Sequence, residues 1–399
     1  MLLKKITFAI LLLFCITQTQ AQRNTLLETI DRKLNFAVKQ ESAMAESLLD
    51  QNNKLPRTFD KEHMQLCDTT NWTCGFFPGT LWHLYEYSKN KQVKKYAELF
   101  SARLDGLQYA TNTHDIGFII YCSFGNGYRL TGSSDYKNKI ETAARSLCTR
   151  FNPATGCIKS WDRGKGIYPV IIDNMMNLEL LFEASKLTGN QKYREIAISH
   201  ANTTLKNHFR PDASCYHVVT YNPETGAVVS RKTRQGYADE SAWARGQAWA
   251  LYGYTMCYRE TRDTTYLKQA RKVATFILNH PRLPKDKIPY WDFDDPKIPD
   301  TYRDASAGAI ICSALIELSQ YVPKTEANKY LDVARTQIIS LSSPQYMAKV
   351  GTNGNFLLQH SVGSMPDNAE IDVPLSYADY YYVEALLRYR KLLLGKPLF

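Results

Sequence analysis

Two aspartates, Asp115 and Asp173, stand immediately before long apolar stretches, in Thr113-His114-Asp115-Ile116 and Ile171-Ile172-Asp173-Asn174. Singly, each reads as a helix cap, its side chain satisfying the first turn of the helix that follows. Brought together at neighbouring helix starts, they read differently. Facing carboxylates repel, so one is held protonated near neutral pH, and the pair can donate and recover a proton. Trp72, Trp161, Trp243 and Trp249 are four of the six tryptophans; their faces suit the apolar faces of sugar rings, and they serve equally as core filling. His217 and Gln235 add neutral hydrogen-bonding groups. Arg245, two residues after Trp243, can grip a carboxylate at two points or close a surface ion pair. Together these residue types point to acid/base chemistry.

Other chemistries lack their residues. There is no G-x-S-x-G elbow, H-E-x-x-H helix, P-loop, or G-x-G-x-x-G after a strand. Ser123-Phe124-Gly125-Asn126-Gly127 lies inside a helical stretch and reads as a kink or packing contact. Eight histidines without ligand spacing argue against a catalytic metal.

A repeat positions the aspartates. Tyr96, Tyr136, Tyr193, Tyr266 and Tyr330 each sit just inside a helical stretch after a short polar turn. In the last three, Ala197, Ala270 and Ala334 follow four residues later on the same face. Each unit is preceded by a more apolar helical stretch, near 75–89, 116–131, 174–188, 241–260 and 305–321. An opening helix near 24–50 and a last one at 376–393 give about twelve helices in six hairpins. Such hairpins close into an all-α (α/α)6 barrel, a toroid with its more apolar helices inside; an open solenoid is the competing architecture. Tyr216 to Arg231 reads as a β-hairpin turning at Asn222 to Gly226, inserted on one rim.

In an up-and-down toroid the starts of alternate helices share one end. The loops bearing Trp72, His114 and Asp115, Trp161 and Asp173, Gln235 to Trp249, Asp292 to Asp304, and Ser361 to Tyr377 therefore converge on one mouth, and one large pocket is expected there. Helix N-termini at that end favour an anionic ligand.

With 44% hydrophobic and 22% charged residues, the 399-residue chain is too apolar and aromatic to be disordered. Residues 1–21 read as a cleavable export signal: Lys4 and Lys5, the apolar run Ile6 to Ile16, then a polar stretch ending at Ala21. Phe14 before Cys15 argues against lipidation, which needs a small residue there. Residues 22–399 are then expected to form one catalytic domain, exported to a bacterial periplasm. No later stretch approaches the roughly 20 apolar residues of a membrane span. Removing the signal takes away two lysines and leaves 47 Lys+Arg against 39 Asp+Glu, a net +8 that favours encounter with an anionic partner. No Lys/Arg tract, zinc-finger spacing or RNA-binding signature accompanies that charge, which argues against nucleic acid. Of the eight remaining cysteines, Cys67 and Cys74 are close enough in sequence to bridge, though a chain this long can be stable without disulfides.

The motifs NWTCGFFPGTLW (71–82), THDIGF (113–118), YPVIIDNMMNLELL (168–181), RQGYADESAWARGQAWALYGY (234–254), PYWDFDDP (289–296), RDASAGAI (303–310) and SYADYYYVEAL (376–386) resemble, in order, the unsaturated glucuronyl hydrolases of glycoside hydrolase family 88. The resemblance implies an (α/α)6 barrel with no metal or organic cofactor. It also implies removal of a 4,5-unsaturated uronic acid from the non-reducing end of lyase-generated glycosaminoglycan oligosaccharides. By resemblance, Asp173 is the general acid/base and Asp115 the second essential aspartate. His217, Gln235, Trp243, Arg245 and Trp249 match the pocket around the uronate, Trp72 and Trp161 look like its stacking aromatics, and Tyr377 and His114 match more loosely. Members that accept sulfated fragments carry an Arg before the pocket Gln, here Arg234, and a Ser-x-x-Ser loop, here Ser361 and Ser364. Their following Lys is replaced by Met365 and Pro366. Rival readings are an unsaturated rhamnogalacturonyl hydrolase acting on pectin fragments and a non-catalytic glycan-binding protein.

Overall fold

The computed structural model describes residues 2–162 and 166–399, with side chains placed from Arg23 onward. The export signal expected at 1–21, with Cys15, falls on side chains outside the described residues. Helices dominate. They are α1 (Leu2–Ser47), α2 (Phe76–Ser88), α3 (Lys91–Ala102), α4 (a π-helical Gly117–Gly125 continued by Asn126–Thr131), α5 (Ser134–Cys148), α6 (Asn174–Thr188), α7 (Gln191–Asn207), α8 (Ala244–Thr261), α9 (Thr264–Asn279), α10 (Ala305–Leu318), α11 (Lys324–Leu341) and α12 (Ser376–Leu393).

Burial sorts them into two rings. Every residue of α10 is buried. On α9 only the stripe Tyr266, Gln269, Ala270, Val273, Ala274 and Ile277 is buried, the spacing of a helix with one face in water. The polar turns before the outer helices act as caps: Asn90, Ser133, Asn190 and Asp263 each accept from first-turn N–H groups. The repeat tyrosines Tyr96, Tyr193, Tyr266 and Tyr330 are buried on the inward face of their helices.

The ring closes. Each inner helix packs on the next through α2, α4, α6, α8, α10 and α12, and α12 packs back on α2. This is the (α/α)6 barrel, and closure removes the open solenoid. Five hairpins are contiguous in sequence. The sixth pair joins the two ends of the chain: α1 lies on α12, tied by Arg390 to Asp31 at 2.6 Å and by Arg23 to the Leu393 carbonyl.

At the end where the inner helices finish, buried charges hold them together. Arg259 of α8 pairs with Glu179 of α6 and Glu317 of α10, and Arg388 of α12 pairs with Glu317 and Glu384. Each guanidinium has carboxylate partners, so the desolvation of the set is offset within it.

Small sheets decorate the other end. The hairpin read at Tyr216 to Arg231 is β6 (Val218–Tyr221) and β7 (Val228–Lys232), and it gains an unforeseen third strand, β5 (Tyr168–Ile171). Further hairpins are β1 (Lys54–Asp60) with β2 (His63–Asp68), β3 (Phe151–Asn152) with β4 (Cys157–Ile158), and β8 (Ser361–Ser364) with β9 (Ala369–Val373). Cys67 and Cys74 are free buried thiols, Cys74 donating to the Thr69 carbonyl at 2.9 Å. No described helix is long and apolar enough to cross a membrane.

Both readings of Ser123 to Gly127 hold: the helix changes from π to α at Gly125–Asn126, and Gly127 abuts the rings of Tyr136 and Trp82. At the other end of the π stretch, a Cβ on Gly117 would lie 2.5 Å from Asn177 Oδ1 and 2.6 Å from its Cα. Asn177 Oδ1 also accepts the Phe118 N–H at 2.8 Å, locking α4 to α6 two residues from Asp115. Gly117→Ala should therefore cost about 1–3 kcal/mol in urea denaturation and lower kcat as well. Unchanged stability would show that the α4–α6 contact can give way.

Candidate active site

Asp173 occupies the N-cap position of α6, yet its side chain makes no capping hydrogen bond. The residue is 7% exposed, and its Oδ2 has no hydrogen-bond partner. Asp115 is held more firmly, Oδ2 accepting from Thr113 Oγ1 at 3.1 Å and Oδ1 lying 3.3 Å from His114 Nε2. Burial lifts both carboxyls from an ordinary 3.8 to about 7. Repulsion from Asp173 adds to the rise at Asp115, whereas Arg245, a backbone N–H and the Trp249 indole pull Asp173 back. With both values near 7, each carboxyl is protonated for much of the time close to neutral pH.

The three-stranded sheet aligns the next group. The N–H of Ile172, just past β5, donates to the His217 carbonyl at 3.0 Å, so Asp173 and His217 hang from neighbouring strand ends. His217 Nδ1 accepts the backbone N–H groups of Arg234 and Gln235, each at 3.2 Å. That fixes the tautomer: the proton sits on Nε2, 3.7 Å from Asp173 Oδ2. Burial, then the Arg245 charge, lowers the His217 pKa to about 3, so the ring is neutral and donates without being an acid. Trp243 lies against it at 4.4 Å between centroids, and Trp161 meets it edge-on at 6.4 Å. His114 is likewise buried and held neutral, chiefly by desolvation.

Trp72 is half-buried against Tyr377, with ring centroids 4.9 Å apart. Trp249 is fully buried on Phe118 and Tyr381, and it serves as core while its indole N–H faces the dyad.

Arg245 is neither an open fork nor a surface ion pair. It is 1% exposed, bound to Asp304 at 3.1 Å and to the carbonyls of Val362 and Gly363, so it braces β8. Gln235 donates to the same Gly363 carbonyl at 2.9 Å. Arg234 and Ser364 converge on Asp367, each at 2.7 Å. Ser361 and Tyr377 are buried with free hydroxyls.

Several buried polar atoms gather at the mouth without a good hydrogen bond inside the protein: Asp173 Oδ2, His217 Nε2, Trp249 Nε1, Ser361 Oγ, Tyr377 Oη and His114 Nδ1. Native interiors seldom leave such groups unpaired, and a cluster of them at one end of a barrel is a place prepared for a ligand. Sheer roominess marks the site less well than these atoms do. A hollow of about 880 Å³ lies on the outer ring, lined by Pro211, Lys268, Phe276 and His280 and by none of these groups.

Residues 42–392 match the family model described as Glycosyl Hydrolase Family 88. The chain belongs to that family. It is 47% identical over 347 residues to the unsaturated glucuronyl hydrolase of Formosa agariphila, spanning 86% of each chain. An unsaturated glucuronyl hydrolase specific for heparin superposes with a TM-score of 0.89 at 47% identity, over 92% of this chain and 98% of that one. A mutant of the Streptococcus agalactiae enzyme, complexed with dGlcA-GalNAc6S, superposes at 0.75 and 31% identity over 91% of both chains. A glycosidase of family 88 thus carries a group of partnerless polar atoms where its inner helices begin.

Several residues of the site escape sequence reasoning. Asp304 is legible, since it precedes an apolar run as a cap with Ser306 two residues on. Asn177 stands one helical turn after Asp173 and is legible by spacing. Thr113 and Asp367 carry no signal beyond their neighbourhood.

The raised carboxyl values have a consequence for stability. With a folded pKa of about 7 against an unfolded 3.8, the contribution is fully present below pH 3.8 and is lost as pH rises towards 7, by about 1.4 kcal/mol for each pH unit crossed. Asp115→Asn should therefore be more resistant than the wild type to thermal unfolding at pH 8, with the gap narrowing towards pH 4. A gap independent of pH would contradict the burial of an ionisable dyad.

Proposed function

We propose that this glycosidase removes the 4,5-unsaturated uronate from lyase-generated glycosaminoglycan oligosaccharides by hydrating the C4=C5 vinyl ether. The observation that carries this reading is the buried Asp173 carboxyl, its Oδ2 without a hydrogen bond and 3.7 Å from His217 Nε2, with Asp115 at the next inner-helix start; burial raises both carboxyls towards the neutral range. Protonated Asp173 gives that proton to C4, and the ring oxygen shares the positive charge left at C5. Ionised Asp173 then takes a proton from water as the water oxygen bonds to C5. The product is a hemiketal, which opens to a ketone and releases the remaining sugar from C1. Cleavage begins away from the anomeric carbon, so the separation rule for paired glycosidase carboxylates does not govern it.

Asp115 holds ring hydroxyls and, when ionised, stabilises the cationic intermediate across a short, water-poor gap. The Nε2–H of His217 is a neutral donor beside Asp173. Trp161 and Trp72 offer faces for the sugars. The free hydroxyls of Ser361 and Tyr377, beside the Arg245 charge, suit the uronate carboxylate. Lys4, Lys5 and the apolar run after them support export, with the periplasm as the working compartment.

Asp173→Asn should keep substrate binding and lose kcat by about 10²–10⁴-fold, the usual span for general acid/base catalysis. Retention of more than about a tenth of kcat would remove Asp173 from the role. In the wild type, kcat should fall on the alkaline side with a midpoint near the dyad's value of about 7. Asp115→Asn removes a repelling charge, so the residual activity should show that midpoint at lower pH. Turnover of unsaturated rhamnogalacturonan fragments, with none of chondroitin, hyaluronan or heparin disaccharides, would reassign the substrate class.

A further inference from the structure

Asp367 sits in the turn between β8 and β9, where two donors from different parts of the mouth meet on its carboxylate. Arg234 Nη1 reaches Oδ1 at 2.7 Å, and Ser364 Oγ reaches Oδ2 at 2.7 Å. A guanidinium and a hydroxyl converging on one point are the makings of an anion site, and here the chain supplies the anion itself. The ion pair is accessible, with Arg234 40% and Asp367 39% exposed, so it stands at the rim. A hollow of about 420 Å³, lined by Lys297, Asp300, Tyr302 and Met365 among others, reaches the same turn at Met365, the residue after Ser364.

The rim pair is also wired to the dyad. The backbone N–H groups of Arg234 and Gln235 set the His217 tautomer, and Gln235 donates to Gly363, next to Ser364. An anionic group arriving from the substrate therefore competes with Asp367 for Arg234 Nη1 and the Ser364 hydroxyl, and has to displace it to use both at once.

We propose that Asp367 is a specificity-determining residue, an internal anion that masks Arg234 and Ser364 and so disfavours substrates bearing a sulfate on the sugar next to the uronate. The proposal rests on the functional reading above. Its consequence is a preference for substrates that are uncharged at that point, since the mouth presents a paired guanidinium instead of a free one.

The test compares unsaturated chondroitin disaccharide with and without the 6-sulfate, at fixed ionic strength because salt screens exposed charges. Asp367→Asn should raise the ratio of kcat/KM, sulfated over unsulfated, by about ten-fold or more, with the change in KM, as expected for a charge-assisted contact made available. Adding Arg234→Ala to Asp367→Asn should return the ratio to the wild-type value. Inorganic sulfate should also inhibit Asp367→Asn more strongly than it inhibits the wild type. An Asp367→Asn enzyme that turns over the unsulfated disaccharide with an unchanged ratio overturns the proposal and leaves the functional reading standing. Equal losses on both substrates mean that Asp367 only pins the β8–β9 turn, which also overturns it. A wild-type enzyme inert on these two and on the hyaluronan and heparin disaccharides as well removes the functional reading, and the proposal falls with it; activity on heparin disaccharides alone moves the same comparison to a heparin pair with and without the 6-sulfate.

Discussion

Two carboxyl groups kept close together and away from water are the constraint around which this barrel is built. Each is lifted from 3.8 to about 7, and each would be easier to bury alone or to leave exposed. Holding them in place requires elements that cannot relax. Asp115 precedes a π-helical stretch whose Gly117 admits Asn177 of the neighbouring inner helix, and Asp173 hangs from a strand hydrogen-bonded to the segment that carries His217. Closure of the ring, with the first and last helices as partners, prevents the inner helices from spreading to relieve the repulsion.

The two ends of the barrel treat charged side chains differently, although partnerless polar atoms such as the ring nitrogens of His83 are buried away from the mouth as well. Where the inner helices finish, Arg259 and Arg388 meet Glu179, Glu317 and Glu384, so each charge is answered. Where they begin, Asp173, His217, Trp249, Ser361 and Tyr377 keep unanswered atoms. A satisfied network specifies a structure, whereas an unsatisfied one waits for a ligand. Arg245 comes closer to the first kind although it lies in the mouth, with both terminal nitrogens bonded and Nε left without a partner. Bound to Asp304 and two carbonyls, it holds β8 in place and reaches Asp173 through its charge.

Much of this is written in the chain. The repeat of tyrosines after polar turns marks the outer ring, because capping and amphipathic spacing are local properties. The two aspartates are legible as a pair, because each precedes an apolar helix and alternate helix starts share an end. The first–last helix pairing is not, since a closing contact between chain ends leaves no local pattern. Nor are β5, β8 and β9, short strands whose partners lie far away or across a turn. The role of Arg245 is hidden for a related reason: its burial depends on Asp304 and on the carbonyls of Val362 and Gly363, which sequence spacing does not bring near it. The ion pair of Arg234 with Asp367 likewise exists only once the β8–β9 turn is folded.

The proposed reaction places the proton on C4, and the most direct measurement of it is the fate of solvent hydrogen. Turnover of an unsaturated disaccharide in deuterated water, followed by NMR of the released uronate, should show deuterium on C4 and no remaining double bond. A product that retains the C4=C5 double bond and carries no deuterium at C4 would mean that the anomeric bond is cut directly, and the transfer of a proton from Asp173 to C4 would have no part in the reaction.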